Sequence, residues 1–237
     1  MTGRYVFLEA TEEEKAQAEM LEKGLDGPKK VYWRLPEALP DSPNLKKFEV
    51  YHQDLIKFNS KINLISKKSV YDADILHFLD SVLASQKILE DTQSDVIYDF
   101  GSGNGFPGLI MAIMAPDRKF ILIDSDSRKI EFIKHMVTKL VLKNVATHNI
   151  DVANFTQPKV QCAVARGFAS ITKALLISRK ALLPQGCFYH MKGPLWSNEV
   201  GELPSQLLGL WKPSLLSEYK LSNDLGQRFI VKTEYQG

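Results

Sequence analysis

A short apolar run at 95–99 passes directly into "GSGNGFPG" (residues 101–108) and then into an apolar stretch suited to a helix. This order restricts the fold more than any other feature of the chain. It puts a glycine loop at the carboxyl end of a strand, which is where open α/β sheets bind ligands. Glycines suit such a loop because the backbone must turn tightly and approach a ligand with no Cβ in between. From residue 94 onward the same alternation continues, with strand-like runs at 95–99, 119–124, 145–149, 160–165 and 185–191. Helical runs are predicted between and after them at 107–115, 127–142, 169–181 and 196–208. Such alternation is the signature of a parallel sheet with crossover helices. Two further β-like runs, 214–221 and 228–233, flank Asn223-Asp-Leu-Gly226, a hairpin turn. The expected fold class is therefore α/β, a Rossmann-like sheet closed by a C-terminal antiparallel hairpin.

Upstream, Phe48, Tyr51, Leu55 and Phe58 recur at intervals of three and four, as along the buried stripe of an amphipathic helix, and a second helix is predicted over 70–89. The chain thus divides into an N-terminal extension at 1–44, a helical preface packed on the core at 45–93, and the main domain at 94–237. The extension is charged and then punctuated by prolines, so it is expected to be peripheral, with one short helix at 11–23. No run of 18 apolar residues occurs and the first residues lack a secretory pattern, so a cytoplasmic protein with no membrane partner is expected. A net charge of +2 argues against a strongly basic nucleic-acid binder. However, Lys46, Lys47, Lys57, Lys61, Lys67 and Lys68 fall in one short segment. That segment reads either as a solvated helix face or as a phosphate-contacting surface. Cys162 and Cys187 are too few and too far apart for a metal knuckle; they read as small buried hydrophobes, and no metal site is expected.

The loop can be parsed in two registers. From Gly103, "GNGFPG" satisfies the dinucleotide pattern, whereas from Asp99, "DFGSGNG" matches the acid-plus-glycines pattern of S-adenosylmethionine enzymes. Charge separates the two readings. A carboxylate at Asp99 is an unfavourable neighbour for a pyrophosphate but a favourable one for the ammonium and sulfonium of S-adenosylmethionine. Pro107 suits the first turn of the following helix, where its missing N–H is not needed. Asp124 ends the second strand about 20 residues after the loop, where either cofactor needs an acceptor for ribose hydroxyls. Its alternative reading is a helix N-cap, with Ser125 and Asp126 as rivals.

These residues also carry a resemblance. "FNSKINLIS" (58–66), "HFLDS" (77–81), "DFGSGNGFPG" (99–108), "LIDSDSRKIEFI" (122–133), "ARGFAS" (165–170), "FYHMKG" (188–193) and "QRFIVK" (227–232) occur in the order found in the RsmG family, also called glucose-inhibited division protein B. That family comprises bacterial S-adenosylmethionine-dependent methyltransferases acting on guanine N7 of 16S ribosomal RNA. The resemblance implies a class I methyltransferase sheet, with S-adenosyl-L-methionine as cofactor. It also implies ribosomal RNA as partner, in the small subunit or an assembly intermediate, and a monomer is favoured.

By the same resemblance Gly101 and Phe106 line the cofactor pocket, Asp99 and Gly103 shape it, Asp124 meets the ribose, and Val152 with Ala153 flank the adenine. Arg166, at the end of the fourth strand, takes the catalytic position between cofactor and substrate; its alternative is an ion pair with Asp124 or Asp151. Lys192 reads either as a phosphate contact or as a solvated strand end, and His77 as a helix-packing residue. Two positions depart from the family pattern: Ala153 stands where an acid is common, and Leu76 where a basic residue is common. The competing functions are an NAD(P)-dependent oxidoreductase and a non-catalytic RNA-binding module with a vestigial cofactor pocket.

Overall fold

The computed structural model describes residues 30–155, 160–221 and 225–237, so the helix expected at 11–23 and part of the expected hairpin turn lie outside the described residues. The described chain opens with α1 (Leu35–Ala38) and α2 (Leu45–Asn59). A π-helical turn, Asp74–Leu79, then runs into α3 (Asp80–Asp91), so the helix expected over 70–89 starts later and begins with a wider turn. Next come β1 (Val96–Phe100), α4 (Gly108–Met114), β2 (Lys119–Asp124), α5 (Ser127–Lys139), β3 (Val145–Asn149) and β4 (Val160–Arg166). They are followed by α6 (Ile171–Ser178), β5 (Leu182–Lys192), α7 (Trp196–Gly201), α8 (Ser205–Leu208), β6 (Trp211–Lys220) and β7 (Gln227–Tyr235).

Local chemistry sets several of these bounds. The Asp126 side chain accepts from the Arg128 N–H and so caps α5, and the Ser170 side chain accepts from the Lys173 N–H and caps α6. α5 ends earlier than expected because Val141 takes φ +55°, a left-handed conformation that no helix can continue. The single helix expected at 196–208 is two short ones: Pro204 has extended backbone and no N–H to offer a continuing helix.

All seven strands form one sheet in the order β3-β2-β1-β4-β5-β7-β6. β1 to β5 are parallel, while β7 runs antiparallel to β5 and β6 antiparallel to β7. The strand order reverses at β1, which lies between β2 and β4, and this switch point is where a doubly wound sheet opens its ligand crevice. The register aligns Phe100 with Ile123 and Asp124 with Asn149, so the loops after these strands emerge along one edge.

Strand alternation divides the core between the two faces of the sheet. Ile97, Leu122, Cys162, Val164, Tyr189 and Met191 join one cluster with Phe48, Tyr51, Phe78 and Leu109 from the preface and α4. Tyr98, Phe100, Ile123, Ala163, Ala165 and Phe188 join the other with Ile171, Leu175 and Trp211. The helical preface is therefore continuous with the core. The expectation that everything before residue 45 is peripheral is corrected for its described part, since Leu35, Ala38 and Leu39 are buried in the first cluster. Arg34 pins this stretch by pairing with both Asp72 and Asp74 at 2.8 Å. Among the described residues, no helix is long and apolar enough to cross a membrane.

Candidate functional site

The glycine loop turns at the carboxyl end of β1. Gly101 has φ +67°, and a Cβ there would collide with the Phe168 ring, so any other residue is penalised on two grounds. Gly103 has φ +55° but open space where a Cβ would stand, with nothing nearer than the Gly101 carbonyl at 3.8 Å. Its N–H donates to Asp124 Oδ2 at 2.8 Å, and the Asp126 N–H donates to Asp124 Oδ1 at 2.8 Å. Asp124 thus joins the loop to the end of β2, and the helix cap proposed for it belongs to Asp126 instead.

Asp99 lies under the loop. Its Oδ2 accepts the Gly108 N–H at the start of α4 at 2.8 Å, while Oδ1 is buried with no partner among the described residues. Burial pushes the carboxyl up to about 7; the Gly108 N–H and the Arg166 charge work in the opposite direction, and Asp124 adds a small upward push. A buried acceptor oxygen left without a partner is costly, a cost that a donor or cation reaching it would offset. Together with the open face of Gly103, this fits the positively charged end of S-adenosylmethionine.

Val152 and Ala153 follow β3 in a 3-10 turn, on the same edge of the sheet as Asp124. Val152 is buried and Ala153 exposed; the Ala153 N–H is taken by Asp151 Oδ1 at 2.9 Å. Asp151 therefore caps its own turn and does not pair with Arg166.

Phe106 joins the loop to the preface. Its ring stacks on Tyr51 with centroids 5.0 Å apart at 10°, and the Arg166 guanidinium lies 5.1 Å from its centroid. The Tyr51 hydroxyl donates to the Asn104 carbonyl at 2.5 Å, and burial keeps that phenol protonated, its pKa raised well above the ordinary value. The Asn104 side chain in turn donates to the Leu64 carbonyl at 3.1 Å. Asn59 Oδ1 accepts from the Leu64 and Ile65 N–H groups at 2.9 Å each, which shapes the stretch after α2. Sequence reasoning missed both Tyr51 and Asn104 as loop supports. The spacing of Tyr51 marks it only as part of a buried helix stripe, and no pattern in the sequence singles out Asn104.

Arg166 donates to the Leu76 carbonyl at 3.1 Å, to Asp80 Oδ2 at 3.2 Å and to His77 Nδ1 at 2.9 Å. Its carboxylate partner is thus Asp80, and the alternatives Asp124 and Asp151 are both corrected. Because His77 Nδ1 accepts, its ring is neutral; burial first and the Arg166 charge second hold its pKa down to about 3. This agrees with a packing residue and leaves no acid or base there near neutral pH. Asp80 is buried and its other oxygen accepts from the Tyr219 hydroxyl at 2.7 Å, with Arg228 Nε at 4.0 Å. Lys192 is not a solvated strand end: it donates to the Ala169 carbonyl at 2.8 Å and to Glu199 at 2.7 Å, and Glu199 also accepts the Ile171 N–H.

These side chains line a cavity of about 510 Å³ whose walls include Leu64, Ile65, His77, Asp80, Asn104, Arg166, Gly167, Met191, Tyr219 and Arg228. Asn104 belongs to both the cavity and the glycine loop, and Arg166 lies over the loop's Phe106, so the two regions adjoin. Asp124 and Val152 lie beyond the cavity walls, on the loop side. Lys57, Lys61, Lys67 and Lys68 are exposed, the last two directly following the cavity-lining Ser66.

Comparison with known proteins matches residues 44–212 to the family GidB, described as rRNA small subunit methyltransferase G. A relative from Bdellovibrio bacteriovorus named ribosomal RNA small subunit methyltransferase G 3 is 44% identical over 207 residues, spanning 86% of this chain and 94% of that protein. Another from Borrelia hermsii, named ribosomal RNA small subunit methyltransferase G, is 35% identical over 153 residues, 64% of this chain and 73% of that protein. Among solved structures, a ribosomal protein L11 methylase from Lactobacillus delbrueckii subsp. bulgaricus superposes with a TM-score of 0.52 at 10% identity. It covers 68% of this chain and 79% of its own, and the likeness bears on the fold alone.

Proposed function

Since this chain belongs to the family of rRNA small subunit methyltransferase G, we propose that it methylates N7 of one guanine in 16S ribosomal RNA. The observation that carries the residue-level reading is Arg166, which lies against Phe106 of the glycine loop while lining the adjoining cavity. S-adenosylmethionine, when bound, supplies a methyl group activated by its sulfonium. On this reading Asp99 and Gly103 receive the methionine end, Asp124 the ribose, and Val152 with Ala153 the adenine. Phe106 closes the pocket wall beside Gly101. The cavity then takes the acceptor guanine, and Arg166 orients it. Family membership sets aside the dinucleotide parse of the loop, and with it the oxidoreductase reading.

Guanine N7 presents a lone pair and no proton, so the chain needs no general base there. The two titratable groups nearest Arg166 support this, His77 being neutral and hydrogen-bonded and Asp80 being shared between Tyr219 and Arg166. What remains is positioning, which contributes through orientation and exclusion of water. Leu76 does not weaken the reading, because its contribution to Arg166 is its carbonyl, which any side chain leaves in place. The exposed lysines beside the cavity are assigned to the RNA backbone, and small subunits or assembly intermediates are the substrate. The test is methyl transfer to RNA carrying 7-deazaguanine at the target: binding persists and turnover vanishes. Normal turnover on that substrate would remove N7 as the acceptor.

A further inference from the structure

Tyr219 and Asp80 come from opposite ends of the fold, yet their contact lies at the wall of the cavity. Asp80 opens α3, whereas Tyr219 is on β6, the edge strand of the sheet, paired in register with Arg228 on β7. A buried carboxylate needs each oxygen satisfied, and Asp80 divides its two between a phenol and a guanidinium. Oδ1 accepts from Tyr219 at 2.7 Å, and the same hydroxyl lies 3.3 Å from the Asp80 carbonyl; Oδ2 accepts from Arg166 at 3.2 Å. The remaining acceptors on Arg166, the Leu76 carbonyl and His77, are neutral. Among the described residues Asp80 is thus the carboxylate that pairs directly with Arg166, and it holds the guanidinium together with those two neutral acceptors.

Tyr219 matters to this arrangement because Asp80 has a second cation within reach, Arg228 Nε at 4.0 Å from Oδ1. With the phenol in place, Oδ1 is occupied and Oδ2 is presented to Arg166. Without it, the carboxylate is free to turn toward Arg228 and release Arg166. Burial and the neighbouring carboxylate raise the Tyr219 pKa well above its ordinary value, so the group remains a donor across the working range.

The geometry points to Tyr219 as a positioning residue for methyl transfer, acting through Asp80 to hold Arg166 in its orientation over Phe106. This rests on the assignment of Arg166 to the acceptor base made above. It makes the C-terminal hairpin part of the active site and not merely the edge of the sheet.

The test is Tyr219→Phe, which keeps the ring packed and removes one oxygen. The expected result is a fall in kcat of about tenfold on small ribosomal subunits, as for lost orientation. KM for the subunit and Kd for S-adenosylhomocysteine should stay within about twofold. Adding Tyr219→Phe to Asp80→Asn should cost nothing more, because both act on one contact. An unchanged kcat, a loss confined to KM, or additive losses in the double variant would overturn the proposal. A measurement on the unaltered protein stands apart from activity: the Arg166 guanidinium should rotate slowly by NMR at neutral pH and rapidly in Tyr219→Phe. Equal rotation in both would overturn the coupling. A wild-type protein that transfers no methyl but shows the slow rotation would instead remove the functional reading while leaving the coupling standing.

Discussion

Replacing Asp99 with Asn probes the loop at its most deeply buried charge. In the free protein burial raises this carboxyl from 3.8 to about 7. The folded chain therefore holds the proton more tightly than the unfolded one. Stability drawn from this group is full below pH 4 or so and is lost as pH rises through about 7. A displacement of about three units corresponds to on the order of 4 kcal/mol between those limits. A cation brought to the unpartnered Oδ1 acts in the opposite sense: it favours the carboxylate, so binding expels the proton. Affinity for S-adenosylmethionine should then climb by up to tenfold per pH unit between about pH 5 and about pH 7, and level off above. In Asp99→Asn the climb should disappear and the high-pH affinity should fall, with RNA binding much less affected. Titration calorimetry in buffers of different ionisation enthalpy gives the proton count directly. Close to one proton should be released at pH 6 by the wild type and about none by the variant. Equal affinity at pH 6 and pH 8, with no proton released, would show that the cofactor's charge does not meet Asp99.

Three further outcomes follow from contacts described above. Gly101→Ala forces a Cβ into the Phe168 ring at φ +67°, and chemical denaturation should register a loss of about 1–3 kcal/mol together with failure to bind S-adenosylhomocysteine. Tyr51→Phe leaves the stack on Phe106 intact but strips the Asn104 carbonyl of its donor; stability should drop by about 1 kcal/mol in urea and cofactor affinity severalfold, and an unaltered loop would leave both unchanged. Neutralising Lys57, Lys61, Lys67 and Lys68 together should weaken binding to small subunits and flatten its salt dependence while sparing the cofactor, and an unchanged salt slope would leave those lysines as an ordinary solvated surface.

The sheet was legible because its strands announce themselves in continuous apolar runs such as "FILID" (120–124), which mark a buried strand whichever partners come to cover it. The glycine loop was legible for a related reason: three glycines between a strand and a helix, with a fourth opening the helix, satisfy a backbone requirement that is local. Whatever depended on long-range pairing was hidden. Arg166 was placed correctly at the end of β4, but its carboxylate lies 86 residues upstream, and nothing in a linear string favours Asp80 over Asp124 or Asp151. Tyr219 sits in an edge strand whose pattern reads as an ordinary amphipathic run. The break at Pro204 was visible as a proline yet passed over, because apolar spacing continues on both sides of it. The burial of Leu35 and Leu39 could not be read from a stretch dominated by prolines, since it comes from tertiary contact with the preface helices.

Asn104 ties the glycine loop to the helical preface through two polar groups. Its carbonyl receives the Tyr51 hydroxyl from α2, and its amide holds the Leu64 carbonyl in the stretch that walls the cavity. The same residue lies within the glycine loop, two positions from the Phe106 ring. A donor that settles the loop therefore also settles part of the wall against which an RNA base would rest. Whatever free energy this residue passes from one ligand to the other must be returned in equal measure. Cofactor and subunit should each raise the other's affinity by one common factor, and that factor should shrink when the Asn104 side chain is removed. In this sense a residue that looks like a spacer between glycines is the hinge pin of a two-ligand equilibrium.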